Sequence, residues 1–514
     1  MRFFFVIVCI LSSCGGTVYN EQSKIIFKYN ESAGIHSFDP AFAKDQSRIW
    51  FCNHIYNSLV QLDSNLQVQP SIAEYWEISE NGLQYDFIIR DDIAFHHSEK
   101  IFITNGRCVD VNDVVYSLNR LKSKKIASPG AWILSNVKNI SVFNDSTVRI
   151  NLLSPNPAFL GLLSMQYCSV LPVESETISD FFYSPIGTGP FKFHYHKPNV
   201  KLVLRKHQNY FEFEGKNKLP YLDAVAISFI SDKQTAFLEF IKGNFDFLSG
   251  IDVSYKDELL NNDGELSTKY VKKLNFCKKD YLNTEYLGIL MDDNQQNIAL
   301  KDVRVRRALN YAFDRDLMMQ YLRNNIGTPA HNGFIPKGLS GYNSGLGYKY
   351  DPELAKKYLI EAGYPDAKGI PIIHLNTTSS YVDLCEYIQH AWEELGFKVK
   401  VNVNPPSTHR QLVSKSQLSI FRGSWIADYA DAENYLALFY SDNHSPNGPN
   451  YTHFSNSEYD DLYQKSLFIS ELSNRIPLYE KMDSIVIDQA IIIPLYYDNV
   501  LRFSHKRVNG LGSN

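Results

Sequence analysis

IPIIHLNTTSSYVDLCEYIQHAWEELGFKVKVNV, residues 370–403, is the stretch on which the fold class turns. Its opening IPIIHLN is an apolar, β-branched run that reads as a strand. Val382, Cys385, Ile388, Trp392 and Leu395 then recur at the spacing of one helix face, and Gly396 stands where the helix ends. FKVKVNV alternates apolar and polar residues, the period of a second strand. A strand, a helix of about four turns and another strand form a βαβ unit, whose crossover is right-handed and whose strands run parallel. Just upstream, Asp351 is an N-cap with Pro352 at the first helical position, Leu354, Tyr358 and Leu359 share a face, and Gly363 sits at the left-handed C-terminal position.

The first half of the chain is richer in strands. Leu83, Tyr85, Phe87 and Ile89 alternate after the turn signal Asn81-Gly82; Val148, Ile150 and Leu152, then Val225, Ile227 and Phe229, do the same. Between them Val111, Val114, Val115, Leu118 and Leu121 fall at helical spacing. The class is α/β with a β-rich first half.

Composition excludes little, but it excludes firmly. At 514 residues, 44% hydrophobic and 21% charged, the chain suits two or more globular domains and is neither fibrous nor disordered. Lys plus Arg number 51 against 56 for Asp plus Glu, a net charge of -5 without any like-charge block, so nothing favours a nucleic-acid partner. The N-terminus MRFFFVIVCILSSCGG has one Arg and an apolar run from Phe3 to Leu11, too short to span a bilayer and typical of a secretory signal. Leu11, Ser12, Ser13 and Cys14 resemble a bacterial lipobox, which predicts cleavage after residue 13 and lipid on Cys14. A soluble secreted protein cut nearby is the alternative. Cleavage removes one Arg and no acid, so 50 bases against 56 acids leave -6. Five cysteines remain, at 52, 108, 168, 277 and 385, with no CxxC pair; spacing supports no zinc site and names no disulfide.

Several segments, in order, resemble the peptide-type ABC importer solute-binding proteins, the oligopeptide- and dipeptide-binding family. They are SFDPAFAKDQSRIWFCNHIYNSLVQLD (37–63), PSIAEYWEISENGLQYDFIIRDDIAFH (70–96), VDVNDVVYSLNRL (109–121), PIGTGPFKF (185–193), LPYLDAVAI (219–227), KDVRVRRALNYAFDRDLM (301–318) and AIIIPLYY (490–497). The resemblance implies a two-lobed periplasmic-binding-protein fold with three interleaved subdomains and a hinge. It places the first lobe's main domain at 25–57, 183–272 and 484–514, a satellite domain at 58–182 and the second lobe at 273–483, after a signal at 1–13 and a lipidated linker at 14–24. It also implies a monomeric, membrane-anchored periplasmic receptor that takes peptides, passes them to the permease and ATPase subunits of an importer, performs no chemistry and carries no cofactor.

The site it implies centres on FRGSWIADYADAENY, residues 421–435. In similar proteins an aspartate in this pattern receives the peptide's ammonium, and here that aspartate is Asp428. A carboxylate against an ammonium makes a charge-assisted hydrogen bond, strong where water is excluded. Taken alone, Asp428 reads as a cap or turn residue. Trp425 would be a flat wall, or else a core side chain; Gly423 and Ser424 would offer main chain to an extended peptide. Arg422 would meet a ligand side chain or carboxylate, or else pair with Asp431 or Glu433. On the other lobe Lys44, Asp45, Gln46, Ser249 and Gly250 match cleft positions, and Tyr286, at the start of the second lobe, is a further candidate. Where some relatives place a base for the ligand's C-terminus, this chain has Ser379, Ser380 and Tyr381, which leaves Arg410, Arg422 or no fixed group as acceptor.

Other constellations are weaker. His96 and His97 are adjacent and point to opposite faces of a strand, without a third metal ligand. GTGP at 187–190 lacks the Lys-Ser/Thr of a phosphate loop and reads as a turn. A different solute in the same fold (nickel chelate, haem, oligosaccharide) and, in other classes, a secreted hydrolase or a surface adhesion protein stand as alternatives. The hydrolase needs a nucleophile or metal for which no motif is present.

Overall fold

The structure is a computed structural model describing residues 24–511 except 36, 99–106, 179, 253 and 293–296. The leader at 1–13, Cys14 and all but the last residue of the expected linker lie outside the described residues.

Within 370–403, the strands Ile373–Thr377 and Val399–Val403 run parallel, with Ile373 opposite Val399. The helix Val382–Glu394 connects them and buries Leu384, Cys385, Ile388 and Trp392. A Cβ on Gly396, whose φ is +93°, would come within 2.3 Å of the Asp366 carbonyl oxygen, so glycine ends this helix where another residue would push its neighbour away.

These two strands form one end of an eleven-stranded sheet. Next come Ile420–Ile426, Leu274–Ile289 and Ile492–His505, then Phe247–Ser249, Ile26–Asn30, Ala224–Ser228, Lys201–Lys206 and Phe191–Lys197. Around its second-lobe half both faces are covered: Leu287, Ile289 and Ile420 enter one core, and Tyr286, Phe421 and Ile492 another. Strands buried on both faces read as near-continuous apolar runs, which is how IPIIHLN and AIIIPLYY appear.

The satellite segment builds a four-stranded antiparallel sheet, Ala73–Ile78, Gln84–Ile89, Thr147–Leu152 and Val137–Asn144 in spatial order. The helix Val111–Lys122 packs on it behind an Asp110/Asp113 capping box. No break in the core separates satellite from main domain, since Phe87, Val148 and Ile150 share one cluster with Tyr29, Phe51 and Val225. The five cysteines at 52, 108, 168, 277 and 385 are free thiols.

Two long strands, Leu274–Ile289 of 16 residues and Ile492–His505 of 14, pair antiparallel and run through both lobes. Leu274, Leu501 and Phe503 pack with Phe237 and Phe240, whereas Leu287, Ile493 and Leu495 enter the second lobe's core. The register breaks between the pairs Asp280–Asn499 and Thr284–Tyr497, and the chain changes lobes there. Ile485, Val486 and Ile487, near the end of the helix Leu472–Asp488, share one core with Tyr286, Phe421 and Ile492.

Asp483, on the helix Leu472–Asp488, is fully buried and accepts the N–H groups of Phe334 at 2.7 Å and Ile335 at 3.3 Å. Burial pushes its carboxyl up to about 7 despite those bonds. A folded-state pKa above the unfolded value stabilises the protein fully below the unfolded pKa and is lost as pH rises through about 7. Urea unfolding is expected to show stability falling by on the order of 2–3 kcal/mol from about pH 5 to about pH 8 through this group. Asp483→Asn should remove that part of the slope; an unchanged slope would show that Asp483 is ionised throughout.

Candidate functional site

The strand Ile420–Ile426 pairs along its length with Leu274–Ile289, but with Ile373–Thr377 only at Ile420 and Phe421. The Ala427 N–H donates to the Leu282 carbonyl and the Leu290 N–H to that of Ser419, which sets the phase of the ladder. Residues 423 and 425 therefore turn their main chain toward Leu274–Ile289, and 422, 424 and 426 turn theirs to the vacant edge. His409 Nε2 contacts the Arg422 carbonyl at 2.8 Å. Ser424 and Ile426 have no strand partner there among the described residues.

Gly423 lies opposite Tyr286, and a Cβ on it would come within 2.6 Å of the tyrosine ring. Tyr286 itself is 2% exposed and packs edge-on against Phe334 at 5.1 Å. This corrects its reading as a cleft residue: it is the core support beneath Gly423.

Arg422 pairs with Glu285, directly across the ladder from Ser424, and not with Asp431 or Glu433. Asp431 instead takes Arg475 at 2.6 Å, and Glu433 takes the hydroxyls of Tyr429 and Tyr463. Glu285 is 2% exposed and also receives Ser424 Oγ at 2.7 Å and Asn283 Nδ2 at 3.1 Å. The Arg422 guanidinium stacks 3.4 Å from the centre of the Tyr381 ring, so Tyr381 joins the site through its face.

Asp428 follows the strand's end, capping no helix, with its side chain partly exposed. Trp425 Nε1 and the Asp428 N–H both donate to Asn434 Oδ1, at 2.9 and 3.1 Å. The Asp428 carboxylate's one side-chain contact is Asn434 Nδ2 at 3.5 Å. Surrounding protein strips enough water to hold this carboxyl above the ordinary aspartate range, with Asn434 only partly opposing. Its charge also raises the Tyr451 hydroxyl, after burial. Burial raises the Tyr167 hydroxyl; Arg48 opposes this, and the charges of Asp428 and Asp45 add to it.

On the first lobe, Asp45 caps the helix Gln46–Ile55, accepting the Arg48 N–H at 3.1 Å, Ser47 Oγ and the Arg48 guanidinium. Burial pushes its carboxyl up, but these bonds outweigh that and hold it below the usual range. It is a cap, already paired. Lys44 is exposed beside it. Gln46, Ser249 and Gly250 come together with Glu31, Trp50 and Tyr255 around a recess of about 210 Å³.

Two constellations resolve without a ligand. His96 is 2% exposed, sits 2.9 Å from the Gly189 carbonyl through Nε2, and is held neutral by burial, down to about 3. It pins the GTGP turn. Ser416 Oγ lies 2.7 Å from His453 Nε2, whose Nδ1 lies 3.2 Å from Asp292, the connectivity of a hydrolase triad. Yet His453 Nε2 also faces the Ser445 carbonyl at 2.9 Å. The N–H groups of Ser416, Gln417 and Ser445 donate to the carbonyls of Val413, Leu412 and Asn450, so none of the three is left to hold an oxyanion.

A profile of the bacterial extracellular solute-binding proteins, family 5 middle region, matches residues 67–447. The chain belongs to family 5 of these solute-binding proteins. Heme-binding protein A of Haemophilus influenzae is 28% identical over 86% of this chain and 81% of that protein. The dipeptide-binding protein of Escherichia coli is 26% identical over 89% and 86%. The solved structure of HbpA2 from Haemophilus parasuis superposes with a TM-score of 0.83 at 24% identity, covering 95% of this chain and 97% of that one. That likeness carries the two-lobed α/β fold.

For this family 5 chain, sequence reasoning missed Glu285, Asn434, Tyr167 and Tyr451. Asn434 stands within 421–435, six residues from Asp428. Its role depends on a loop that folds back on the strand, which spacing does not reveal. Glu285 is 137 residues from Arg422, and only the ladder register brings them together.

Proposed function

We propose that this protein captures peptides by their free N-terminal amine and delivers them to the permease of an ABC importer, held at the membrane by lipid on Cys14. The observation that carries the reading is Asp428: a partly desolvated carboxylate with one weak side-chain contact among the described residues, at the end of a strand whose far edge has no strand partner there at Ser424 and Ile426. An extended peptide adding to that edge through Ser424 and Ile426 brings its ammonium toward Asp428. Trp425 and Tyr451 flank the ligand's first residue.

A second reading, capture of haem, draws on the Haemophilus influenzae relative. Haem presents carboxylates, and Arg422 is already bound to Glu285, so an anion there must displace an existing ion pair. The peptide reading needs no such exchange.

Binding requires an ionised Asp428 and a protonated amine. Affinity is therefore expected to fall on the acid side as pH drops through the raised pKa of Asp428, and on the alkaline side above about pH 8, where the α-amine deprotonates. Calorimetric titration of a free-amine peptide across this range tests it. Asp428→Asn should remove the acid limb, and an acid limb that survives the substitution would rule out Asp428 as the partner.

A further inference from the structure

The recess of about 210 Å³ in the first lobe is smaller than a whole-ligand pocket, typically about 300 Å³ or more, and suits one side chain. Its lining is mixed: Leu248, Ile251 and the ring of Tyr255, which is fixed by stacking on Phe237 at 4.5 Å and 7°, stand beside Asn30, Ser32 and Lys233. Trp50 supplies a second aromatic wall, with Arg502 5.6 Å from its ring centre. Gln46, Ser249 and Gly250 join the recess to the surface that the resemblance places in the cleft.

Glu31 gives the recess its charge. It follows the strand Ile26–Asn30 and is half-buried, and among the described residues its carboxylate accepts one hydrogen bond, from the Ala33 N–H at 3.4 Å. Burial first, then the charge of Asp45, raises its carboxyl. Lys233, itself in the lining, binds Asp252 at 2.9 Å, Arg48 binds Asp45, and Arg502 lies over the Trp50 ring. A carboxylate that shares a recess with two aromatic rings and forms no ion pair among the described residues complements a long side chain that ends in a cation.

We propose that this recess is the subsite for one basic side chain of the bound peptide, with Glu31 as its counter-charge and Trp50 and Tyr255 flanking its aliphatic stem. The proposal rests on the peptide reading and adds a preference to it: peptides carrying Arg or Lys at one fixed position bind more tightly than neutral isosteres.

The test walks a single arginine along alanine tri-, tetra- and pentapeptides with free N-termini, each paired with its citrulline counterpart, and measures affinity by calorimetry for the native chain and for Glu31→Gln. At one position arginine is expected to beat citrulline by about tenfold or more, the scale of a hydrogen bond to a charged group. Glu31→Gln should abolish that ratio and leave the citrulline affinity unchanged. Thermal unfolding of Glu31→Gln should be at or above the native midpoint, since an under-paired carboxylate is removed. Tight peptide binding with no arginine preference, or a preference that survives Glu31→Gln, overturns this proposal and spares the peptide reading. Absence of binding for every peptide overturns both.

Discussion

Asp428→Ala is expected to weaken binding of a free-amine peptide by about 30-fold or more, the cost of truncating one partner of a desolvated charge pair. The fold should be untouched, because Asp428 caps no helix and its side chain contributes only a 3.5 Å contact to Asn434. Removing a partly desolvated carboxylate should, if anything, raise the thermal midpoint of the ligand-free chain. Calorimetry and thermal unfolding on the same preparation separate the two effects. Loss of affinity with stability kept is the expected pair, and unchanged affinity would remove Asp428 from the site. Asn434→Ala should produce a smaller loss, since it orients Asp428 and Trp425 without meeting the ligand.

Arg422→Ala is expected to have the opposite profile. It leaves Glu285, 2% exposed, without its guanidinium, and breaking a buried ion pair from one side costs about 3–5 kcal/mol. Ser424 and Asn283 still donate to Glu285, which places the loss toward the lower end. Urea denaturation should show it, and Arg422→Ala combined with Glu285→Gln should recover most of it, because no charge then stays buried alone. If the single variant unfolds like the native chain, the pair is solvated and the account of Arg422 as a structural residue is wrong. Arg422 thus builds the cleft wall: with Tyr381 stacked on it and Ser424 tied to the same carboxylate, it holds the strand Ile420–Ile426 at the edge a peptide would join.

What could be read from the sequence was local. The βαβ unit at 370–403, the helix from Pro352 and the alternating strands of the satellite sheet follow from periodicity and caps over a few residues, and each appears where it was expected. The register slip between the long strands Leu274–Ile289 and Ile492–His505 was harder, because it is visible only in their pairing. Tyr286 misled for a related reason. Which face of the strand Leu274–Ile289 it occupies depends on Gly423 opposite it. The Arg422–Glu285 and Asn434–Asp428 contacts depend on three-dimensional register or loop closure, and local pattern encodes neither.

The most direct test of the central claim is native mass spectrometry of the purified chain offered an equimolar mixture of peptides with free and N-acetylated termini. The account predicts one-to-one complexes with free-amine peptides and rejection of their acetylated counterparts, since acetylation removes the charge that Asp428 awaits. Equal capture of acetylated peptides would contradict amine recognition, and a non-peptide mass carried through purification, with no peptide bound, would assign the cleft to another solute.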